Sequence, residues 1–259
     1  KLHRLVSYLN ETKNLRMIGW IADGHSELVL DLFADADFAG CSGAQRSASG
    51  AFLCLKGPHS CFGLSCLSKR QGCVSLSTPE AEIVAASHAL RHIGFPALEL
   101  WQHINRNPDI PLVVHEDNKA MISVCLSGKN PTMRHLKRTH GVQVAWLAEQ
   151  FDRKDILLLY ERSVRMSADI FTKAFSDPLK WQAVCELILV LDEARLQDQD
   201  FLTSLLSPPP SLSGGVSKRS LALPNAPDPP NDLPSKSGWH IEKNKNPVCV
   251  VKDPLTMKT

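Results

Sequence analysis

Three strand-like segments in a row, followed by alternating helices and strands, restrict this chain to a few folds. Residues 27–34 (ELVLDLFA) alternate, with Leu28, Leu30 and Leu32 on one side, and predict a strand that delivers Asp35 at its end. Residues 49–56 and 61–67 predict two more, completing an antiparallel meander. Ser77-Thr78-Pro79-Glu80 then reads as a helix start. Ser77 is the cap, Glu80 reaches back, and Pro79 sits where a missing N–H matters little. The helix presents Ala81, Ala85 and Ala89 on one face, small enough to lie close on a sheet. Gly94 and Pro96 are expected to interrupt it before a second stretch at 97–104. Beyond lie a buried strand at 111–115, helices at 119–126 and 137–150, a strand at 155–160, and helices at 166–175 and 178–191. Val142, Ala145, Trp146 and Ala148 are the expected inner side of the 137–150 helix. Three antiparallel strands followed by strand–helix units predict an α/β architecture with a mixed sheet flanked by helices.

The pattern stops near residue 192. Ten of the 17 prolines lie beyond it, in stretches such as SPPPSLSGG and LPNAPDPPNDLP, so 193–259 is expected to be an unstructured tail. Trp239 and the VCVV run at 248–251 are its candidate partner-binding motif. Residues 1–22 begin with an amphipathic helix, with Leu2, Leu5, Val6 and Leu9 on one face. A first residue of Lys rather than Met suggests a piece of a longer protein. The net charge of +2 does not by itself indicate a nucleic-acid partner, so such evidence must be local. The eight cysteines form no CxxC, which favours reduced thiols over a zinc knuckle at Cys61, Cys66 and Cys73. No apolar run approaches the ~20 residues of a membrane span, and no signal peptide is evident. An intracellular protein is expected.

Four carboxylates interrupt otherwise apolar contexts: Asp35 in FADADFAG, Glu82 in LSTPEAEIVAA, Asp117 in VVHEDNKA and Asp169 in MSADIFTKAF. Gathering buried acids is costly unless a cation joins them. Acids drawn together from distant segments are how a protein holds Mg²⁺ for phosphodiester chemistry. Each also has a plainer reading. Asp117 can cap the following helix, Asp169 can be a surface acid, and Glu80 and Glu82 can both be first-turn acids favoured by the helix dipole. Glu80 is expected to be only that, Asp37 a turn residue, and Asp31 solvated on an outward-facing position.

The ordered blocks FADADFAG, RSASG, SKRQ, STPEAE, EDNKA and ADIFTK resemble the ribonuclease H domain of copia-type LTR-retrotransposon Pol polyproteins over roughly residues 25–190. Residues 1–24 resemble the connection that follows the reverse transcriptase in those polyproteins, leaving 25–192 as the ribonuclease H-like domain. The resemblance implies the ribonuclease H-like fold, a five-stranded mixed sheet with helices on both sides. It implies hydrolysis of the RNA strand of RNA–DNA hybrids, with two Mg²⁺ ions (Mn²⁺ able to substitute), leaving a 5′-phosphate and a 3′-hydroxyl. Asp35, Glu82, Asp117 and Asp169 match its four metal-binding, catalytic positions. The reverse transcriptase domain of the same polyprotein is the implied partner. Glu82, on the first long helix, separates this pattern from transposases and integrases of the same fold. Phe38 stands where the family usually has Trp, Gly94 and Pro96 fall in its usually continuous first long helix, HLKRTHGVQVAWL follows its pattern only in part, and the tail matches nothing in it. These departures leave a second reading, a catalytically silent remnant that binds nucleic acid or supports the polymerase.

For the substrate, Lys69 and Arg70 precede the first long helix, and Arg134, Lys137 and Arg138 form a second basic group. Each can equally be an ordinary solvated charge. Asn118 is placed to orient Asp117. His140 and His135 are candidate proton shuttles or surface histidines. Ser42, Gln45, Ser47, Ser49 and Asn118 are candidates for 2′-hydroxyl contacts. His88 and His92 sit one turn apart with no third metal ligand in view.

Overall fold

The computed structural model describes residues 2–41, 45–194, 198 and 249–250. Its elements run α1 (Leu2–Glu11), β1 (Leu15–Gly19), β2 (Val29–Cys41), β3 (Arg46–Gly57), β4 (Ser60–Arg70), α2 (Thr78–Ala89), α3 (Phe95–Asn105) and β5 (Leu112–Glu116). After these come α4 (Lys119–Ser127), α5 (Leu136–Thr139), α6 (Val144–Phe151), β6 (Ile156–Tyr160), α7 (Pro178–Leu187), β7 (Val190–Asp192) and β8 (Cys249–Val250). The main sheet has the order β4-β3-β2-β5-β6. β2, β3 and β4 are antiparallel, and β5 and β6 join in parallel on the far side of β2.

The central strand carries the alternation that the sequence shows. Leu28, Leu30, Leu32 and Ala34 enter the larger core with Leu53, Ile83, Leu90, Leu112 and Met121. Phe33 points the other way, into a second cluster with Phe52, Met166, Ala168 and Ile188. Both faces are therefore covered, as befits a sheet with parallel strands. This overturns the expectation for Asp31, which is 5% exposed. Its outward position faces protein rather than water, so it pairs with Lys56 at 3.4 Å and His115 at 3.3 Å. The opposite His115 nitrogen faces Glu161 at 3.4 Å.

β2 also runs further than expected, so Asp35 lies inside the strand rather than at its end. Asp37 belongs to the strand too, just before a break in register between it and Cys41. Gly94 and Pro96 do not stop the first long helix. Leu90–Gly94 forms a π turn, closed by Phe95 N–H to Leu90 O, that passes directly into α3. The wider turn accommodates Pro96 in the first turn of α3, where its absent N–H leaves no bond unmade. A Cβ on Gly94 would come within 3.0 Å of Leu112 Cδ2 and of Leu32 Cδ2, so glycine lets the helix pass close over the sheet.

The expected helix at 137–150 is instead two. Gly141, at φ 67°, turns the chain between α5 and α6. Val142 and Leu147 are buried and Trp146 half-buried, whereas Ala145 is exposed. The expected helix at 166–175 is only a 3₁₀ segment, Ser167–Phe171, preceded by a separate 3₁₀ turn at Ser163–Arg165. The last expected helix ends at Leu187, and Leu189, at φ 64°, redirects the chain into β7. β7 pairs antiparallel with β1, and Cys249–Val250 pairs with β1 on its other side. The rest of the expected tail, Trp239 included, lies almost entirely outside the described residues. Among the described residues no helix is long and apolar enough to cross a membrane.

Candidate active site

β5 ends beside the middle of β2, and the first long helix starts near that point. β2 supplies Asp35, the residue after β5 is Asp117, and the first turns of α2 supply Glu82. One carboxylate oxygen from each lies within 4.8 Å of the others, and no other such metal-capable group occurs among the described residues. The fold thus brings together positions 35, 82 and 117, two from neighbouring strands and their ends and one from the helix packed on the sheet. Asp35 and Glu82 are buried, and Asp117 half-buried. Ser163 Oγ donates to Asp117 Oδ2 at 2.6 Å.

Asp169 joins from the 3₁₀ segment. It does not meet the trio directly but through Lys173, whose Nζ lies 2.7 Å from Asp169 Oδ1 and 3.2 Å from Asp35 Oδ1. Thr172 Oγ1 donates to the second Asp35 oxygen. Gly50, paired across the sheet with Asp35, makes this approach possible. A Cβ there would meet Thr172 Cγ2 at 2.6 Å and the Ala168 carbonyl at 2.9 Å. Gly50→Ala is therefore expected to push the Asp169 segment off the sheet and to cost about 1–3 kcal/mol of stability. Urea denaturation checks this, and an unchanged midpoint would show that the segment yields freely.

A further acid, Glu116, is fully buried at the end of β5. Sequence reading missed it because Asp117 alone matched the family position, although the ED pair was in view. Burial, first, and then the charges of Glu116, Asp35 and Asp117 push the Glu82 carboxyl up to about 10. Burial is also the main reason that Glu116 is pushed well up. Asp169 rises to about 6 through burial, partly offset by Lys173. Asp37 is raised by burial and by Asp35. Glu82 Oε2 and Glu116 Oε2 are buried with no hydrogen-bond partner. Orphaned carboxylate oxygens on an acid cluster are a donor set suited to a hard divalent cation. Asp35, Glu82 and Asp117 can hold one.

The other candidates are dispersed. Lys69 and Arg70 are exposed at the end of β4, and Lys69 Nζ lies 3.2 Å from His88 Nε2. Asn118 caps α4, its Oδ1 accepting from Met121 N, while its own N–H donates to Glu116 Oε1 at 3.0 Å. The cap on α4 is thus Asn118, not Asp117. Arg138 is exposed on α5. The side chain of His140 is 2% exposed, with Nε2 at 3.4 Å from Glu80 Oε1. His135 Nε2 bonds the same oxygen at 3.1 Å. Glu80, itself 1% exposed, is thus more than a first-turn acid, because it tethers the α5 segment to α2. Its other oxygen accepts from Leu76 N rather than closing the expected capping box on Ser77. Ser47 and Ser49 are buried, accepting from Ala39 N and Gln71 Nε2. Gln45 is exposed in the turn before β3, and Ser42 lies outside the described residues. Thr172 and Lys173 were missed, yet both stand inside the ADIFTK block, and Lys173 sits four residues from Asp169.

The strand order defines a ribonuclease H-like fold, with three antiparallel strands, two parallel ones, and acids within the central strand β2 and just after its neighbour β5. The likeness to a retrotransposon Pol polyprotein also stands. Over 154 residues, 58% of the chain, it is 30% identical to the retrovirus-related Pol polyprotein from transposon TNT 1-94 of Nicotiana tabacum, of which it spans 11%. No known family profile matches the chain. Among solved structures, LC11-RNase H1 isolated from compost by a metagenomic approach is 14% identical, with TM-score 0.38 over 56% of this chain and 92% of its own. The N-terminal RNase H domain of rv2228c from Mycobacterium tuberculosis is 17% identical, with TM-score 0.37 over 56% and 91%. LC11-RNase H1 in complex with an RNA/DNA hybrid is 15% identical, with TM-score 0.36 over 55% and 93%.

Proposed function

We propose that this chain is a metal-dependent ribonuclease H that hydrolyses the RNA strand of RNA–DNA hybrids during reverse transcription. The observation that carries the reading is the convergence of Asp35, Glu82 and Asp117 within 4.8 Å. Asp169 completes the set, and two Mg²⁺ ions, replaceable by Mn²⁺, are the cofactors. Bound cations of this kind lower the pKa of an attacking water and offset charge on the leaving 3′ oxygen.

The chain's own groups prepare that chemistry. Asp35 is fixed by β2 and by Thr172, so its oxygens are aimed before a ligand arrives. Glu82 carries a proton in the metal-free protein and releases it when a cation takes its place. Glu116, pushed up by burial like Glu82, stands behind the donors and holds the Asn118 backbone N–H through Oε1. Lys69, Arg70 and Arg138, exposed on β4 and α5, are the proposed contacts to hybrid phosphates. Asn118 acts through its grip on Glu116. His140 acts through Glu80, keeping the start of α2 and hence Glu82 in place.

The remaining assignments complete the reading. Residues 1–24 belong to the connection with a polymerase domain, which suits α1, where Leu2, Leu5, Val6 and Leu9 are all exposed. The domain proper is 25–192, residues 193–259 are an appended tail, and the protein works inside the cell. The test is a hybrid labelled separately on each strand. Mg²⁺-dependent cuts confined to the RNA strand, and stopped by a chelator, are expected. Binding without cleavage would support the silent-remnant reading instead. Strand transfer on duplex DNA would point to an integrase-like enzyme.

A further inference from the structure

Asp35 belongs to two constellations at once. One is the trio with Glu82 and Asp117; the other is the bridge that Lys173 makes between Asp35 and Asp169. The stem of Lys173 is anchored, because its backbone N–H donates to the Asp169 carbonyl at 2.9 Å. Its head is not enclosed, since the side chain is 36% exposed and has room to leave. An ammonium group and a divalent cation drawn to the same carboxylate repel each other. They therefore compete for Asp35.

We propose that Lys173 is an exchangeable internal counter-ion. It clamps Asp35 to Asp169 in the metal-free protein and swings into solvent when Mg²⁺ takes the acid cluster. The inference rests on the reading that this cluster holds a divalent cation. Two consequences follow from competition for the shared Asp35 carboxylate. Removing the ammonium should tighten Mg²⁺ binding, and it should weaken the metal-free fold, where like charges would face each other unpaired. In the intact protein Lys173 should be shielded without Mg²⁺ and accessible with it.

The full-length chain and Mg²⁺ alone are sufficient for the test. Amine-reactive labelling of Lys173, read by peptide mass spectrometry, is expected to rise about fivefold or more on Mg²⁺ saturation. By calorimetry Lys173→Met is expected to bind Mg²⁺ about tenfold tighter than the parent. In chelator it is expected to melt at a lower temperature, while Lys173→Arg stays near the parent. Calorimetric binding with no change in Lys173 labelling would overturn the inference and leave the proposed function standing. Absence of any Mg²⁺ binding by the parent would overturn both. Should Lys173→Met fail to fold, labelling of the parent decides the matter.

Discussion

Asp35→Asn is expected to reduce hybrid cleavage by about a hundredfold to a thousandfold or more, while the protein stays folded. Asp35 is shared by the acid trio and by the Thr172–Lys173 bridge. It shares the trio with Glu82 and Asp117, accepts from Thr172 and pairs with Lys173. Asparagine keeps the shape and one acceptor oxygen but removes the charge that a hard cation needs. The neighbouring packing, with Ala34 and Ala36 buried on either side, is untouched. Single-turnover cleavage of a labelled hybrid at saturating Mg²⁺, with circular dichroism as the control for folding, reads the effect. A folded variant that cuts at the parent rate would remove Asp35 from the chemistry and the acid cluster from the mechanism.

Glu82→Gln is expected to flatten the pH dependence of stability in the metal-free protein. The Glu82 carboxyl moves from 4.5 to about 10 on folding, first through burial and then through the charges around it. Between these limits the folded protein holds a proton that the unfolded chain has released. The stabilising contribution is therefore complete below about 4.5 and is lost progressively as pH rises toward about 10. The loss runs at up to about 1.4 kcal/mol per pH unit for one proton. Glutamine is neutral throughout, so the variant should be the more stable form at alkaline pH and show a shallower slope. Some slope should remain, because Glu116 is shifted the same way. Melting temperatures in chelator from mildly acidic to alkaline pH provide the measurement. Parallel curves for parent and variant would mean that Glu82 does not carry the repulsion.

Much of the architecture was legible locally. The alternation through Leu28, Leu30 and Leu32 and the start of α2 at Ser77 depend on neighbours within one turn or one strand. For Asp31 and for Gly94 and Pro96, where the sequence misled, the deciding contact came from far along the chain. Asp31 reads as outward because alternation reports two faces but not whether the second is covered. Gly94 and Pro96 read as a break because the fit of Gly94 over Leu32 and Leu112, and the π turn that leads into Pro96, exist only once the sheet has formed. The split at Gly141 turns on a positive φ that periodicity does not register.

The site divides along the same line. The sequence alone determined which carboxylates stand out and the order in which they come, because an acid in an apolar context is visible without coordinates. Tertiary structure decided that Asp35, Glu82 and Asp117 meet while Asp169 is reached through Lys173, and that Glu116 and the Glu80 histidine pair stand behind them. Charge interactions depend on distance through space. No spacing along the chain encodes the few ångströms that separate residues more than a hundred positions apart.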